Sequence, residues 1–159
     1  MADALFYHLT GSTLEGLLPV LIGKCRAAGW RVVVRGRDAE RMDWLDQKLW
    51  LTGDDGDFPA HGLSGGPHDA DQPVLLTCDD AVPNGAQALI AVDGATVAPA
   101  ELAGLARALI LFDGGDQAAV QHARDQWKTL VAAGIAAQYW AEDAGRWSKR
   151  AESGAAEQA

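Results

Sequence analysis

The chain has 159 residues, 48% hydrophobic and 22% charged, which is enough for one folded core and excludes a disordered or fibrous protein. Its net charge of −9 predicts little direct binding to nucleic acid, because such binding places Lys and Arg against phosphates. Cys25 and Cys78 are far apart and outside any CxxC pair, so we expect neither a disulfide framework nor a zinc site. With no basic leader and no long apolar run, we expect a cytoplasmic protein without a membrane segment.

The predicted elements begin with a strand and a helix. Residues 4–9 have the apolar and aromatic density of a buried strand. Apolar residues then recur with helical spacing from Leu14 to Cys25. Thr13 is the expected N-cap of this helix and Gly29 its stop.

A second strand and helix follow. The β-branched run at residues 30–35 predicts the strand, and Asp38 is a candidate cap for the helix. This helix carries its apolar side chains on one side, at Met42, Leu45, Leu49 and Trp50. Residues 52–73, rich in Gly, Asp, His and Pro, predict a long surface loop. The acidity of the chain is regional, since residues 51–100 contain eight Asp and no Lys or Arg.

The second half of the chain adds strands and one well-defined helix. Short apolar runs predict buried strands at residues 74–77, 88–92 and 108–112. We also expect a short helix over residues 99–106, a last strand over 135–140 and a terminal helical turn or two over 142–150. Asp116 is expected to cap a helix that runs to about Ala133 and stops at Gly134.

The alternation of strands and helices predicts one α/β domain over residues 1–150, followed by a disordered tail over residues 151–159. The domain is expected to be Rossmann-like, with a mainly parallel sheet and helices on both faces. Such a sheet holds phosphates at its first strand-to-helix turn, but residues 9–14 contain neither GxGxxG nor GxxxxGK(S/T). We therefore predict no phosphate-binding loop.

No catalytic constellation, cofactor or metal site is predicted. Two alternatives stay open. One is a weak metal site at His61 and His68, which share a loop with Asp57, Asp69 and Asp71 but whose spacing matches no known motif. The other is a small nucleotide-binding enzyme that uses residues 11–13 and the pair Cys78-Asp79, and it depends on fold analogy alone.

The helix after Asp116 carries a mixed apolar and basic face. Its members share one side of the helix: Val120, Arg124, Trp127, Lys128 and Val131. A Trp beside an Arg and a Lys offers an apolar wall and donors for a carboxylate, which indicates an apolar, acidic ligand. The alternative is that Trp127 and the valines pack on the sheet and the two bases are solvated at the rim. A second small basic group, more typical of a solvated helix end, follows at Arg146, Lys149 and Arg150.

In order and spacing, several of these segments resemble the chi subunit of bacterial DNA polymerase III over about residues 4–140. The matching segments are Phe6-Tyr7, Gly29 to Val34, Leu45 to Trp50, Phe58 to His61, Pro73-Val74, Ala123 to Lys128 and Ala132 to Gly134. The resemblance implies a non-catalytic accessory subunit of the DNA polymerase III holoenzyme, within its clamp-loader complex. It also implies binding of the acidic, phenylalanine-ended C-terminal tail of single-stranded-DNA-binding protein during DNA replication.

The resemblance assigns roles to individual residues. It implies that Arg124 and Lys128 are the basic pair that holds the tail, with Trp127 where the family often has another aromatic residue. Val120 departs from a basic residue found in some members, so weaker or more salt-sensitive binding is expected. A second surface, for a psi subunit or a helicase-type partner, is implied at Trp50, Phe58, Pro59 and His61. The alternative for Trp50 is the buried end of its helix.

Overall fold

The computed structural model describes residues 3–52, 61–65, 69–78, 82–143 and 146–153, with the backbone alone at residues 50–52 and 61. The strands are β1 (Asp3–Leu9), β2 (Val32–Arg35), β3 (His61–Leu63), β4 (Val74–Thr77), β5 (Ala88–Ala91), β6 (Arg107–Asp113), β7 (Ala136–Asp143) and β8 (Arg146–Ser153). The α-helices are α1 (Leu14–Ala27), α2 (Ala39–Thr52) and α3 (Gln117–Ala132), and short 3-10 helices lie at Asp69–Asp71 and Pro99–Gly104. Within these ranges, no helix is both long enough and apolar enough to cross a bilayer.

The strands form one sheet in the order β3-β4-β2-β5-β6-β1-β7-β8. All neighbouring strands are parallel except β7 and β8, which are antiparallel. The short strands β2, β4 and β5 are buried along their whole length, as expected where helices cover both faces of a parallel sheet. The predicted Rossmann-like α/β fold is therefore confirmed.

Each face of the sheet has its own apolar core. Alternate side chains of a strand point to opposite faces, so Val32 and Val34 join the core beneath α1 and α2, whereas Val33 joins the core beneath α3. Burial of apolar surface in both cores holds the helices against the sheet.

The predicted ends of α1 and α3 are confirmed. The Thr13 hydroxyl accepts a hydrogen bond from the Gly16 N–H at 3.1 Å, and the Asp116 carboxylate accepts from N–H groups in the first turn of α3. Both helices end before a glycine with positive φ, +82° at Gly29 and +84° at Gly134. The sequence signals at these two helices were correct because caps are local interactions.

The prediction of a helical turn over residues 142–150 is wrong. β7 continues beyond the predicted end at residue 140 to Asp143, and the chain returns as the antiparallel strand β8. The ring of Trp147 packs edge-on against that of Tyr7, with centroids 5.4 Å apart. Pairing with the open edge of β7 and this aromatic contact decide the conformation, and neither is encoded locally. β8 reaches Ser153, three residues beyond the predicted end of the domain.

Two further predictions differ from the structure. The predicted loop over residues 52–73 contains β3 at the sheet edge, where Gly62 pairs with Leu75. Three residues with a central glycine carry too little alternation to indicate a strand. The short helix predicted over residues 99–106 is the 3-10 helix Pro99–Gly104.

Candidate functional site

The neighbouring strands β1 and β6 send their following helices to opposite faces of the sheet. α1 leads from β1 to β2 over one face, and α3 leads from β6 to β7 over the other. The carboxyl ends of β1 and β6 therefore meet at a topological switch point, where open α/β sheets bind their ligands. A cleft of about 630 Å³ opens at this point.

The turn after β1, here called the β1 turn (residues 10–12), holds a carboxylate of the protein itself. Glu142 Oε1 accepts hydrogen bonds from the backbone N–H groups of Gly11 at 2.9 Å and Ser12 at 2.8 Å, with a longer one from Thr10 at 3.3 Å. The Ser12 hydroxyl donates to Glu142 Oε2. Three successive N–H groups thus converge on one anion, the arrangement by which such turns hold phosphates.

Glu142 is held in its ionised form. The Ser12 hydroxyl and the backbone N–H groups of the turn lower the pKa of Glu142 to about 2, against the opposing effect of burial. The residue is only 9% exposed. The anion position of the β1 turn is consequently occupied at physiological pH, which agrees with the missing phosphate-loop motif.

Some of the remaining polar groups of the cleft are engaged as well. The Arg41 guanidinium donates to the Asp93 carboxylate at 2.9 Å, and Asp116 caps α3. His122 Nε2 is buried and has no hydrogen-bond partner in the described part of the chain. The cleft is thus a mixed polar space, and its phosphate-binding turn is filled.

The structure does not bring the residues of the alternative enzyme site together. Cys78 follows β4, whereas Gly11 follows β1, and three strands lie between these two. At about 4.8 Å per strand, the two ends are roughly 19 Å apart. Asp79 lies outside the described residues.

The alternative metal site lies mostly outside the described residues. Its residues His68 and Asp57 lie outside the described ranges, as does the side chain of His61. Within those ranges, no three His, Cys, Asp or Glu side chains form a group that could hold a metal ion.

The predicted binding face of α3, here called the α3 face, comprises Val120, Arg124, Trp127, Lys128 and Val131. Its two cations are exposed, and its three apolar side chains are partly buried against the core beneath α3. The ring of Trp127 lies edge-on to that of Phe6, with centroids 5.4 Å apart. The apolar members thus pack on the sheet while the cations are exposed, as the packing alternative expected, and each apolar side chain keeps part of its surface accessible.

Sequence reasoning missed the surroundings of Arg124. His8 Nδ1 lies 2.6 Å from the Tyr139 hydroxyl. Burial, together with the nearby Arg124 charge, lowers the pKa of His8. Burial also raises the pKa of Tyr139, an effect that Arg124 opposes. Two-residue alternation places His8 on the same side of β1 as Phe6, a signal that could have located it.

Arg124 and Lys128 lie one helical turn apart. In the described part of the chain, no acidic side chain forms an ion pair or hydrogen bond with either cation. The α3 face therefore presents two solvated cations to an external anion, in contrast to the filled β1 turn.

The predicted second surface is described only in part. Phe58 and Pro59 lie outside the described residues, as do the side chains of Trp50 and His61. Trp50 falls in the last turn of α2 and His61 begins β3. α2 packs beside β3, so both positions lie near the β3 edge of the sheet, opposite the β8 edge.

The described residues thus define a Rossmann-like α/β protein whose phosphate-binding turn is filled by its own carboxylate. The sequence model of one protein family, the DNA polymerase III chi subunit, HolC, matches residues 1–138. The chain belongs to this family, as the resemblance predicted. The family is an accessory component of the DNA polymerase III holoenzyme, which replicates DNA. A search of curated proteins found no match.

Proposed function

We propose that this protein is a non-catalytic adaptor within the clamp-loader complex of the DNA polymerase III holoenzyme, in the cytoplasm. In this proposal the α3 face binds the acidic, phenylalanine-ended C-terminal tail of single-stranded-DNA-binding protein. The observation that carries it is the pair of solvated cations, Arg124 and Lys128, beside the partly exposed Trp127. A chain of net charge −9 repels an acidic peptide over most of its surface, so a local basic face is needed to bind one.

The residues of the α3 face have different parts in this proposal. The planar Arg124 guanidinium suits bidentate contact with a carboxylate, whereas Lys128 acts as a point charge. The accessible edges of Trp127 and Val131 form an apolar surface for the phenylalanine ring. Val120 adds apolar contact without a charge, so the electrostatic attraction depends on Arg124 and Lys128. Salt screens these two charges, and binding is expected to weaken with increasing salt.

The non-catalytic part of the proposal is supported by Glu142. Its carboxylate occupies the N–H groups that would hold a phosphate at the β1 turn. The wide separation of Cys78 from Gly11 further disfavours the nucleotide-binding enzyme.

Calorimetric titration with a peptide of the acidic tail, ending in phenylalanine with a free carboxylate, tests the proposal. Arg124→Glu should weaken binding by about tenfold to a hundredfold, because a charge-assisted contact is replaced by repulsion. Lys24→Glu is the matched control. Lys24 is an exposed base on α1, on the opposite face of the sheet, and its reversal changes the net charge equally. Equal affinity of Arg124→Glu and the wild type would overturn the assignment.

A second partner, a psi subunit or a helicase-type protein, remains a sequence-based proposal at Trp50, Phe58, Pro59 and His61. A pull-down that compares the wild type with Phe58→Ala tests it. Recovery of the same partners by both proteins would count against this surface.

A further inference from the structure

The terminal strand β8 is a basic edge on an acidic protein. It contains three bases, Arg146, Lys149 and Arg150, and one acid, Glu152. It pairs with β7 on one side and ends the sheet on the other. β8 also lies beyond residue 138, where the match to the family ends. Its charges are therefore not explained by the family resemblance.

The register with β7 assigns the bases of β8 to different faces. Lys149 pairs with Trp140 and lies on the α1 side of the sheet, where its amine is 3.2 Å from the Glu152 carboxylate. Arg146 pairs with Asp143, whose side chain lies on the α3 side by alternation along β7. Arg150 also reaches the α3 side, because its Nη2 atom lies 3.7 Å from Asp143 Oδ2.

The α3 side of β8 is continuous with the α3 face. Tyr139 of β7 lies within the electrostatic influence of Arg124, and it pairs with Ala151 of β8, next to Arg150. One strand spacing, about 4.8 Å, therefore separates Tyr139 from β8. α3 packs over β6, β1 and β7, and Arg146 and Arg150 remain exposed beside it.

The ion pair that Arg150 makes within the chain is weak. Its side chain is 52% exposed and that of Asp143 is 76% exposed. Exposed pairs of this kind contribute little to stability, since water screens them and both side chains lose freedom. Arg150 can therefore exchange Asp143 for a carboxylate of a partner.

We propose that Arg146 and Arg150 extend the α3 face and bind acidic side chains of the phenylalanine-ended tail. This inference depends on the proposed function, because Arg124 and Lys128 hold the end of the tail. The tail then runs from α3 across β7 to β8. The two cations on β8 add to the two on α3, where Val120 contributes no charge. The positive charge of all four complements an acidic peptide.

Titration of two peptides against the full-length protein tests the extension. The first peptide is acidic and ends in phenylalanine, and in the second peptide each acidic residue is replaced by the corresponding amide. Combined Arg146→Glu and Arg150→Glu should weaken binding of the acidic peptide by about threefold to tenfold and leave binding of the neutral peptide unchanged. Lys149→Glu should bind both peptides as the wild type does, because this residue of the same strand faces the other side of the sheet.

The possible outcomes separate the two proposals. Wild-type affinity of the β8 double variant for the acidic peptide, with loss of binding in Arg124→Glu, overturns the extension alone. If Arg124→Glu also binds the acidic peptide with wild-type affinity, the proposed function is overturned. Equal losses for the acidic and the neutral peptide also overturn the extension, because acidic side chains are then not what β8 recognises. If charge reversal disturbs folding, the variant that combines Arg146→Gln and Arg150→Gln replaces the first one, because it removes the charges without adding repulsion. It should weaken binding of the acidic peptide by a smaller factor and leave binding of the neutral peptide unchanged.

Discussion

The β1 turn and the α3 face both offer hydrogen-bond donors to an anion, but only the β1 turn has its anion supplied by the chain. Glu142 satisfies three backbone N–H groups of the turn, whereas Arg124 and Lys128 are solvated. A carboxylate attached to a neighbouring strand competes with free ligands at a high effective concentration. The comparison shows how a sheet of the nucleotide-binding type can have its usual phosphate site, the β1 turn, occupied by its own carboxylate while the α3 face offers cations to an acidic partner.

Burial of the anion explains why the two places differ. Glu142 is buried, and a buried carboxylate requires hydrogen-bond partners, which the N–H groups of Gly11 and Ser12 supply. Long basic side chains on a helix remain hydrated and need none. The β1 turn therefore contributes to stability, whereas the cations of the α3 face are available for binding.

The largest effect is expected where the α3 face meets the core. Trp127→Ala should lower the free energy of unfolding by about 3 kcal/mol, because the indole packs against Phe6 and Tyr139. Urea denaturation measures this change. Lys128, the next residue, is exposed, and the unfolding free energy of Lys128→Ala should stay within about 0.5 kcal/mol of the wild-type value. Similar small losses in both variants would contradict the inward packing of Trp127.

Removal of the internal anion should have the next largest effect. Glu142→Gln is expected to lower the free energy of unfolding by about 2 kcal/mol, because charge-assisted hydrogen bonds to the β1 turn are lost. Asp143→Asn, the exposed neighbour on β7, is the control and should change it by less than about 0.5 kcal/mol. If the two variants are equally stable, the β1 turn does not depend on Glu142.

The acid dependence of stability should follow Glu142. The folded pKa of about 2 lies below the usual value of 4.5, so the contribution of Glu142 is complete above pH 4.5 and decreases as the pH falls towards 2. The difference in unfolding free energy between the wild type and Glu142→Gln should therefore shrink over this interval. Denaturant titrations at several pH values measure it. A difference that is constant with pH would show that ionisation of Glu142 is unimportant.

The smallest effect is expected at His8, which reports on the α3 face. The Arg124 charge helps to lower the His8 pKa, so Arg124→Gln should raise that pKa towards 6.5. Binding of an acidic peptide beside Arg124 should raise it as well. An NMR titration of the imidazole signals detects both changes, with Lys24→Gln as the control. If the His8 pKa is the same in Arg124→Gln as in the wild type, the Arg124 guanidinium is too far from His8 to affect its pKa.

The sequence by itself determined the features that depend on neighbouring residues. Thr13 and Asp116 cap α1 and α3 as predicted, and apolar runs locate the buried strands β2, β4, β5 and β6. Caps and periodicity are local, so they can be recognised without a partner segment. The order of several short segments was also sufficient to identify the family, which the match to residues 1–138 confirms.

Only the tertiary structure decided which distant groups meet. Glu142 contacts Ser12 across 130 residues of sequence, and the predicted helical turn over residues 142–150 gave no indication of it. β8 forms because β7 offers an open edge, and the register then separates Arg146 and Arg150 from Lys149. These contacts depend on strand order and register, which side-chain periodicity within one segment does not specify. The same dependence explains why the filled β1 turn and the placement of Arg146 and Arg150 on the α3 side of the sheet became visible only in the folded protein.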